Sequence, residues 1–149
     1  MVTRTVILTN NSQTTFSVNE LCPTLTIDLA ALSHNYKALL KKSGVAKLAT
    51  VVKADAYGLG IDNIVPVLEA AGCECFFVAT GSEANALRQI TVDNDIYIMN
   101  GLTCDGEELA DKKLAPCLAS AEEVSKWIML CEERNSNLPA AIHIDTGFN

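Results

Sequence analysis

The chain has 149 residues, of which 49% are hydrophobic and 5% aromatic, and its formal net charge is −7, with 11 basic against 18 acidic residues. This length is enough for one domain with a hydrophobic core. The acidic balance and the lack of any lysine or arginine cluster argue against a nucleic-acid-binding face. No apolar run reaches the roughly 20 residues of a membrane span. The N-terminus does not resemble a secretory signal, so the sequence predicts a cytoplasmic protein.

The cysteines do not follow the pattern of a disulfide framework or a zinc site. They are Cys22, Cys73, Cys75, Cys104, Cys117 and Cys131. Only Cys73 and Cys75 lie close together, and neither a second pair nor a nearby histidine completes a metal site. Several have apolar neighbours, where a reduced cysteine behaves as a small hydrophobic residue. The sequence therefore predicts reduced cysteines and no metal.

The first regular elements follow a stretch without helical periodicity. Residues 1–23 end at Pro23 and are predicted to be an N-terminal extension. Residues 24–27 are strand-like, and Asp28 can cap a helix that ends at Gly44. The apolar residues that share one face of this helix are Leu29, Leu32, Tyr36, Leu39 and Leu40.

Short apolar runs come next, separated by helical stretches. The first run ends at Lys53, and the others are residues 75–79, 96–99, 115–118 and 140–144. Each run is continuously apolar rather than alternating, which is typical of a parallel sheet covered by helices.

The helices between these runs begin at plausible capping residues. The predicted caps are Asp62, Ser82, Asp105 and Ser120. Ser120 also begins a capping box that Glu123 completes. The apolar stripe of the helix behind it is Val124, Trp127, Ile128 and Cys131.

This alternation predicts an α/β fold of repeated βα units. An open doubly wound sheet and a (β/α)8 barrel are both built from such units. Counted from the run that ends at Lys53, about five of the eight strands of a barrel are present. The chain stops at Asn149, directly after an apolar run and before any helix could follow. We therefore expect an incomplete (β/α)8 TIM-type barrel in a truncated chain.

Lys53 is the most informative residue, because it ends an apolar run and opens a turn that contains Gly58 and Gly60. An unpaired ammonium group is costly to bury. By position alone, a stem packed at the strand end with its head in water is the commoner arrangement. Conversion of the nitrogen to an imine, as pyridoxal phosphate does, is the chemical alternative.

Gly58 and Gly60 after a strand also suggest a dinucleotide-binding loop. The third glycine of that motif would be residue 63, which is Asn63. The next strand ends in Ala79 and Thr80, without the acid that would bind a ribose. The pattern therefore disfavours a dinucleotide site.

The triplet of Asp145, Thr146 and Gly147 matches the catalytic triplet of aspartic proteases. Those enzymes pair two such carboxylates, and they are all-β proteins, whereas this chain alternates strand with helix. Asp145 and Gly147 are better explained as residues that shape the turn after a strand.

Three segments in order carry a family resemblance. Residues 26–32 read TIDLAAL, residues 52–60 read VKADAYGLG, and residues 143–149 read HIDTGFN. The second segment closely resembles the cofactor-attachment motif of alanine racemases, which are fold-type III enzymes that use pyridoxal 5'-phosphate (PLP). The first resembles their N-terminal strand and first helix, and the third resembles their D-T-G-x-x-R-x-G segment up to the arginine. Leu59 stands where many relatives carry histidine.

The resemblance implies roles for two residues of the middle segment. Lys53 would form the internal aldimine with PLP and then act as a base at the substrate Cα. Tyr57 would hydrogen-bond the cofactor phosphate. Asp55 receives no catalytic role and could cap or orient the turn, and His34 and His143 are not assigned to the site.

For the full-length protein the resemblance implies interconversion of L- and D-alanine, supply of D-alanine for the cell wall, and a homodimer. Residues 24–149 would be the N-terminal part of the PLP-binding barrel, without the C-terminal β domain. In the family the second base is a tyrosine from that domain of the partner subunit, so this chain alone is expected to be inactive. A non-catalytic remnant, a small PLP-binding protein of the same fold type and a broad-specificity amino-acid racemase stay open as alternatives.

Overall fold

The computed structural model of the chain describes residues 5–9 and 24–147. Strands and helices alternate along these residues. The strands are β1 (Thr5–Thr9), β2 (Thr24–Asp28), β3 (Thr50–Val51), β4 (Cys75–Val78), β5 (Asp95–Ile98), β6 (Leu114–Leu118) and β7 (Ala141–Ile142). The helical elements are α1 (Leu29–Ser43), α2 (Lys53–Gly58), α3 (Ile61–Ala70), α4 (Gly81–Ile90), α5 (Gly106–Asp111) and α6 (Ala121–Glu133).

Five of these strands form one parallel sheet in chain order, β3-β4-β5-β6-β7. Each strand pairs with the next one along the chain, and helical elements connect them. Val51 is opposite Phe77, Phe77 is opposite Tyr97, and Tyr97 is opposite Ala115. Strands in this order and direction are successive βα units of a barrel. They confirm the predicted α/β fold, with five strands of an incomplete (β/α)8 barrel.

A second, two-stranded sheet precedes the barrel strands. β1 and β2 are parallel, with Thr5 opposite Thr24 and Thr9 opposite Asp28. The predicted extension, residues 1–23, therefore includes a strand that the sequence did not indicate. The remainder of that prediction falls on residues outside the described ranges, and the domain boundary stays a prediction.

The predicted ends of the first helix are confirmed. Oδ1 of Asp28 accepts a hydrogen bond from the N–H of Ala31 at 2.9 Å. Gly44 follows the last turn with a φ of 64°, a left-handed value that glycine adopts without steric cost. A cap of the Asp28 kind typically stabilises a protein by about 1 kcal/mol.

The later caps are only partly as predicted. Asp105 and Ser120 cap α5 and α6 as expected. The cap of α3 is Gly60 rather than Asp62, and the cap of α4 is Thr80 rather than Ser82. Both helices begin two residues earlier than predicted, because an acceptor for their first N–H groups is already available there.

The capping box predicted at Ser120 forms only in one direction. Oγ of Ser120 accepts from the N–H of Glu123 at 3.1 Å. The Glu123 carboxylate, however, accepts from the N–H of Ala119 at 2.7 Å and from that of Leu102 at 3.0 Å. It therefore connects the loop after β5 to the end of β6 instead of closing on its own cap.

The core lies between the helices and one face of the sheet. Alternate strand residues on this face, Phe76, Val78, Ile96 and Ile98, are at most 1% exposed. Leu68 of α3 and Leu87 of α4 belong to the same buried cluster. Each such side chain contributes about 1.5–3 kcal/mol of hydrophobic stabilisation relative to exposure.

The predicted apolar helix faces are correct except at their margins. Leu29 and Tyr36 of α1 and Trp127 of α6 are buried. Leu39 is 55% exposed and Ile128 is 52% exposed, because both lie at the edge of their helix stripe. These two residues therefore do not join the buried side of their helices.

The other face of the sheet corresponds to the interior of a barrel. Phe77 and Tyr97 stack on this face, with ring centroids 5.0 Å apart and an interplanar angle of 17°. A cavity of about 220 Å³ continues it toward β7 and is lined in part by Met99, Cys117 and Ile142. Barrel enzymes fill this space with layers of side chains from all their strands.

The cysteines within the described ranges are free thiols, and Cys22 lies outside those ranges. Burial, followed by the nearby Asp95 carboxylate, raises the pKa of Cys75 to about 11, so this thiol is protonated at neutral pH. Across residues 5–9 and 24–147, no group of three metal-ligating side chains is placed to hold an ion.

None of the helices in the described part of the chain combines the length and the apolar composition needed to cross a membrane.

We predict that the 149-residue chain on its own self-associates or folds poorly. β3 and β7 are edge strands, and their residues Val51 and Ile142 are exposed. Unpaired edges and an uncovered apolar face favour association. Sedimentation velocity over a range of concentrations should show aggregates. A soluble monomer with a sharp, cooperative thermal transition would contradict this prediction.

Candidate active site

Lys53 lies at the C-terminal end of the first barrel strand. The preceding residue, Val52, is 2% exposed, and its N–H donates to the carbonyl oxygen of Phe77 at 2.9 Å. Lys53 itself is half-buried. The strand ladder thus extends up to this residue, which holds the lysine at the edge of the sheet where barrel enzymes place their reactive groups.

The backbone after Lys53 makes one left-handed turn. Ala54, Asp55, Ala56 and Tyr57 have φ values of 50°, 53°, 53° and 56°, with ψ values between 34° and 52°. Left-handed helical conformation costs about 1–2 kcal/mol per non-glycine residue. Such conformations persist only where the surroundings hold them, and they occur often at active sites.

Backbone contacts account for part of that support. The N–H of Ala56 donates to the carbonyl oxygen of Val52 at 3.0 Å, and the N–H of Gly60 donates to that of Asp55 at 2.9 Å. Ala56 is also 4% exposed, so its methyl group is part of the core. The turn is therefore anchored at its centre and at its end.

Asp55 connects the turn to the following helix. Its Oδ1 accepts from the N–H of Ile61, the first residue of α3, at 2.8 Å. Gly60, the backbone N-cap, has a φ of 91° and no side chain to offer. Asp55 supplies the missing acceptor from within the turn, which confirms the expectation that it caps or orients this segment.

Glu83, in the first turn of α4, is the residue of this region that our sequence analysis missed. Its Oε1 accepts from the N–H of Ala54 at 2.8 Å. Its Oε2 accepts from the N–H groups of Ala79 at 2.8 Å and Thr80 at 3.1 Å. One carboxylate therefore joins the ends of β3 and β4. The pattern Thr80-x-x-Glu83 is a capping box visible in the sequence, and it could have indicated this residue.

Glu83 is held in its ionised form. Burial alone would raise its pKa, but the N–H groups of Ala54, Ala79 and Thr80 and the nearby Lys53 ammonium lower the pKa below its ordinary value. A carboxylate that accepts several backbone hydrogen bonds is stabilised as the anion. A negative charge therefore lies beside the lysine turn at neutral pH.

Tyr57 ends the left-handed run, four residues after Lys53. Its side chain is 63% exposed, so its hydroxyl is accessible to a ligand at this edge of the sheet. Gly58 follows with a φ of 81°, which continues the positive φ values in a residue without a Cβ. The structure thus brings Lys53 and Tyr57, the two predicted site residues, to the same turn.

The other residues weighed from the sequence do not join this turn. His34 and His143 are exposed, and the backbone N–H of His143 donates to the carbonyl oxygen of Leu118 at 2.8 Å. Oδ1 of Asp145 accepts from the N–H of Gly147 at 2.9 Å. That contact confirms the interpretation of this triplet as a turn.

A profile of the family described as alanine racemase, N-terminal domain, matches residues 27–149. The match covers most of the chain and includes the lysine turn. The chain belongs to the alanine racemase N-terminal domain family.

Curated alanine racemases share this part of the sequence. The alanine racemase of Methylobacterium sp. (strain 4-46) is 45% identical over 126 residues, which are 84% of this chain and 35% of that protein. The biosynthetic alanine racemase of Agrobacterium fabrum (strain C58) is 44% identical over 126 residues, 84% of this chain and 32% of that protein. The chain thus spans about a third of the length of these relatives.

Solved racemase structures share the fold. The crystal structure of alanine racemase from Bartonella henselae with covalently bound pyridoxal phosphate superimposes with a TM-score of 0.77 at 37% identity. The superposition covers 83% of this chain and 35% of that one. The alanine racemase of Corynebacterium glutamicum gives a TM-score of 0.70 at 33% identity, over 83% and 35% of the two chains.

We predict that the Asp55→Ala substitution destabilises the full-length protein by about 1 kcal/mol, because it removes the acceptor of the Ile61 N–H. The Asp55→Asn substitution keeps an acceptor oxygen and tolerates a left-handed backbone, so it should change the free energy of unfolding by less than about 0.5 kcal/mol. Urea unfolding measures both. Equal destabilisation by alanine and asparagine would contradict the capping role.

Proposed function

We propose that the full-length protein carrying this chain is a PLP-dependent alanine racemase, an isomerase that interconverts L- and D-alanine. The observation that carries the proposal is the position of Lys53, at the C-terminal end of the first barrel strand and at the start of a strained turn. Family membership and the racemase relatives support it. Supply of D-alanine for the cell wall, a cytoplasmic location and a homodimer belong to the same proposal, as does the assignment of residues 24–149 to the PLP-binding barrel.

The side chains present fit PLP. The primary amine of Lys53 can bind the aldehyde carbon covalently, and the exposed hydroxyl of Tyr57 can donate to a phosphate oxygen. The alanine racemase of Bartonella henselae has covalently bound pyridoxal phosphate in its crystal structure. When bound, PLP withdraws electron density from the substrate and acidifies the hydrogen at its Cα.

Lys53 would hold the cofactor and then move a proton. Nζ of Lys53, when not holding the cofactor, would be the base that takes the proton from one face of the substrate Cα. Inversion requires return of a proton to the opposite face. One lysine reaches only one face, so a second acid–base group outside residues 24–147 completes the reaction in this proposal.

Tyr57 would fix the cofactor rather than take part in proton transfer. Tyr57 lies one turn after Lys53 in the chain, on a backbone that the contacts of Ala56 and Asp55 hold in place. A hydrogen bond to a charged phosphate is stronger than one to a neutral group. Binding of the phosphate at Tyr57 would orient the ring relative to the lysine nitrogen.

We predict that borohydride reduction of the PLP-loaded full-length protein attaches one pyridoxyl group to the peptide that contains Lys53. Lys53→Ala should abolish this label and lower the rate of alanine racemisation by at least about 10²-fold, since it removes the acid–base group. The control is Lys47→Ala, at the exposed start of the same strand region; it should keep label and activity. Label at another lysine would refute the assignment of Lys53.

The same assay separates the remaining alternatives. A protein that takes the label but turns over other amino acids as fast as alanine would be a broad-specificity racemase. A protein that takes neither label nor substrate would be a non-catalytic relative.

We predict that Tyr57→Phe weakens PLP binding by about 10-fold to 150-fold, because a hydrogen bond to a charged group contributes about 1.5–3 kcal/mol. Titration of the cofactor-free protein with PLP, followed by absorbance, measures this. The control is Tyr36→Phe, because the Tyr36 hydroxyl donates to backbone carbonyls of Leu48 and Gly72 away from the turn. Unchanged PLP affinity in Tyr57→Phe would exclude a phosphate contact.

A further inference from the structure

We propose that Glu83 is a positioning residue for Lys53, acting through the backbone N–H of Ala54. Its carboxylate fixes the turn that carries the reactive amine relative to the next strand of the barrel. The inference deepens the proposed function and rests on it, because it concerns how the lysine is presented to cofactor and substrate.

The Glu83 carboxylate binds the backbone next to Lys53. Ala54 is the residue directly after Lys53, and its N–H donates to Oε1 of Glu83 at 2.8 Å. The other carboxylate oxygen accepts from Ala79 and Thr80 at the end of β4. The carboxylate therefore sets the distance between two strand ends and the orientation of the peptide group that leaves Lys53.

Glu83 lies in a helix, α4, whose position is fixed by its cap and by its buried residues. The N–H of Glu83 donates to Oγ1 of Thr80 at 3.3 Å, which closes the capping box of α4. Ala84 and Leu87 of the same helix are fully buried. Gly81, at the helix start, lies so close to Cys104 that an added Cβ would be 2.5 Å from its Sγ. Displacement of Glu83 would thus require displacement of the helix.

The far end of α4 is fixed as well. Within the described ranges, the donor groups of Arg88 bind backbone carbonyl oxygens at 2.8–3.2 Å. The acceptors are the carbonyl groups of Thr91, Val92, Asn94, Lys112 and Lys113. The guanidinium group ties the helix to the loops before β5 and β6, so α4 is held at both ends.

Loss of the bond between Ala54 and Glu83 would change the mobility of the turn. Ala54 is exposed, so water can satisfy its N–H if the carboxylate is removed. Removal of the carboxylate would therefore make the turn more mobile, and it would not leave the Ala54 N–H without a hydrogen-bond partner. The peptide group between Lys53 and Ala54 would gain freedom in a segment whose conformation is already unfavourable.

The charge of Glu83 agrees with this role. The net lowering of its pKa keeps it ionised at neutral pH, and Lys53 is one of the groups that lower the pKa. As an anion it can accept all three N–H groups at once, whereas the neutral amide of glutamine offers only one acceptor oxygen.

Glu123 provides a matched control for Glu83 within the same chain. Glu123 occupies the same place in the first turn of α6, and its carboxylate joins the N–H of Leu102 after β5 to that of Ala119 after β6. Both carboxylates join the ends of two neighbouring strands, although Glu83 also accepts from the N–H of its own cap, Thr80, and Glu123 holds no lysine turn. A purely structural contribution should therefore be common to both, and an effect on Lys53 should be confined to Glu83.

The test compares E83Q with E123Q in the full-length protein, with three measurements. The first is the affinity for PLP, together with the yield of borohydride-fixed label on Lys53. The second is kcat and KM for alanine. The third is the rate of hydrogen exchange at the Ala54 amide. In E83Q we expect Ala54 to exchange faster, PLP to bind several-fold more weakly, and kcat to fall by about 10-fold or more, since small misplacements of reacting groups cost up to about 10²-fold. In E123Q these quantities should stay within about 2-fold of the wild type, while thermal stability falls to a similar extent in both variants.

Several outcomes would overturn the inference. Equal effects of E83Q and E123Q on PLP affinity and kcat would show that Glu83 acts only through stability, as would unchanged Ala54 exchange in E83Q. If E83Q does not fold, E83D, which keeps the charge one methylene further away, is compared with E123D in the same measurements. Absence of label on Lys53 in the wild-type protein would refute the proposed function, and the exchange of Ala54 would still decide whether Glu83 holds the turn.

Discussion

Four successive left-handed residues after Lys53 impose the main constraint on this end of the molecule. At about 1–2 kcal/mol each, their cost is comparable to a large part of the net stability of a domain. The turn therefore depends on contacts from outside it. Three are distinct in kind: the buried methyl group of Ala56, the bond from Ile61 to the Asp55 carboxylate, and the bond from Ala54 to Glu83.

The parallel sheet brings these contacts together. Because β3 and β4 are neighbours and point the same way, Lys53 and Thr80 leave the sheet at the same edge. The helix that follows β4 then begins beside the lysine turn, within reach of the Glu83 side chain. The contacts around Lys53 thus depend on strand order, and the alternating buried residues such as Phe76 keep that order through the core.

The fold and the turn that contains Lys53 were accessible from sequence because their signals are local. Continuous apolar runs indicated the parallel strands, and the glycines after Lys53 indicated the turn that also contains Tyr57. The helix starts at Gly60 and Thr80 were missed, because the position of a cap depends on which acceptor the folded turn presents. The left-handed run was not foreseeable, since alanine has no local preference for it.

Glu83 was missed because its contact with the lysine turn joins residues that are far apart in sequence. Glu83 lies 29 residues after Ala54, whose N–H donates to its carboxylate. During synthesis Lys53 and its turn leave the ribosome before β4 and α4 have emerged. The turn can gain its carboxylate support only after the next βα unit has been made and has docked. The shape of the turn after Lys53 is therefore coupled to the order in which the chain emerges, and a nascent chain that ends before α4 would carry the complete VKADAYGLG segment without the contact that holds it in shape.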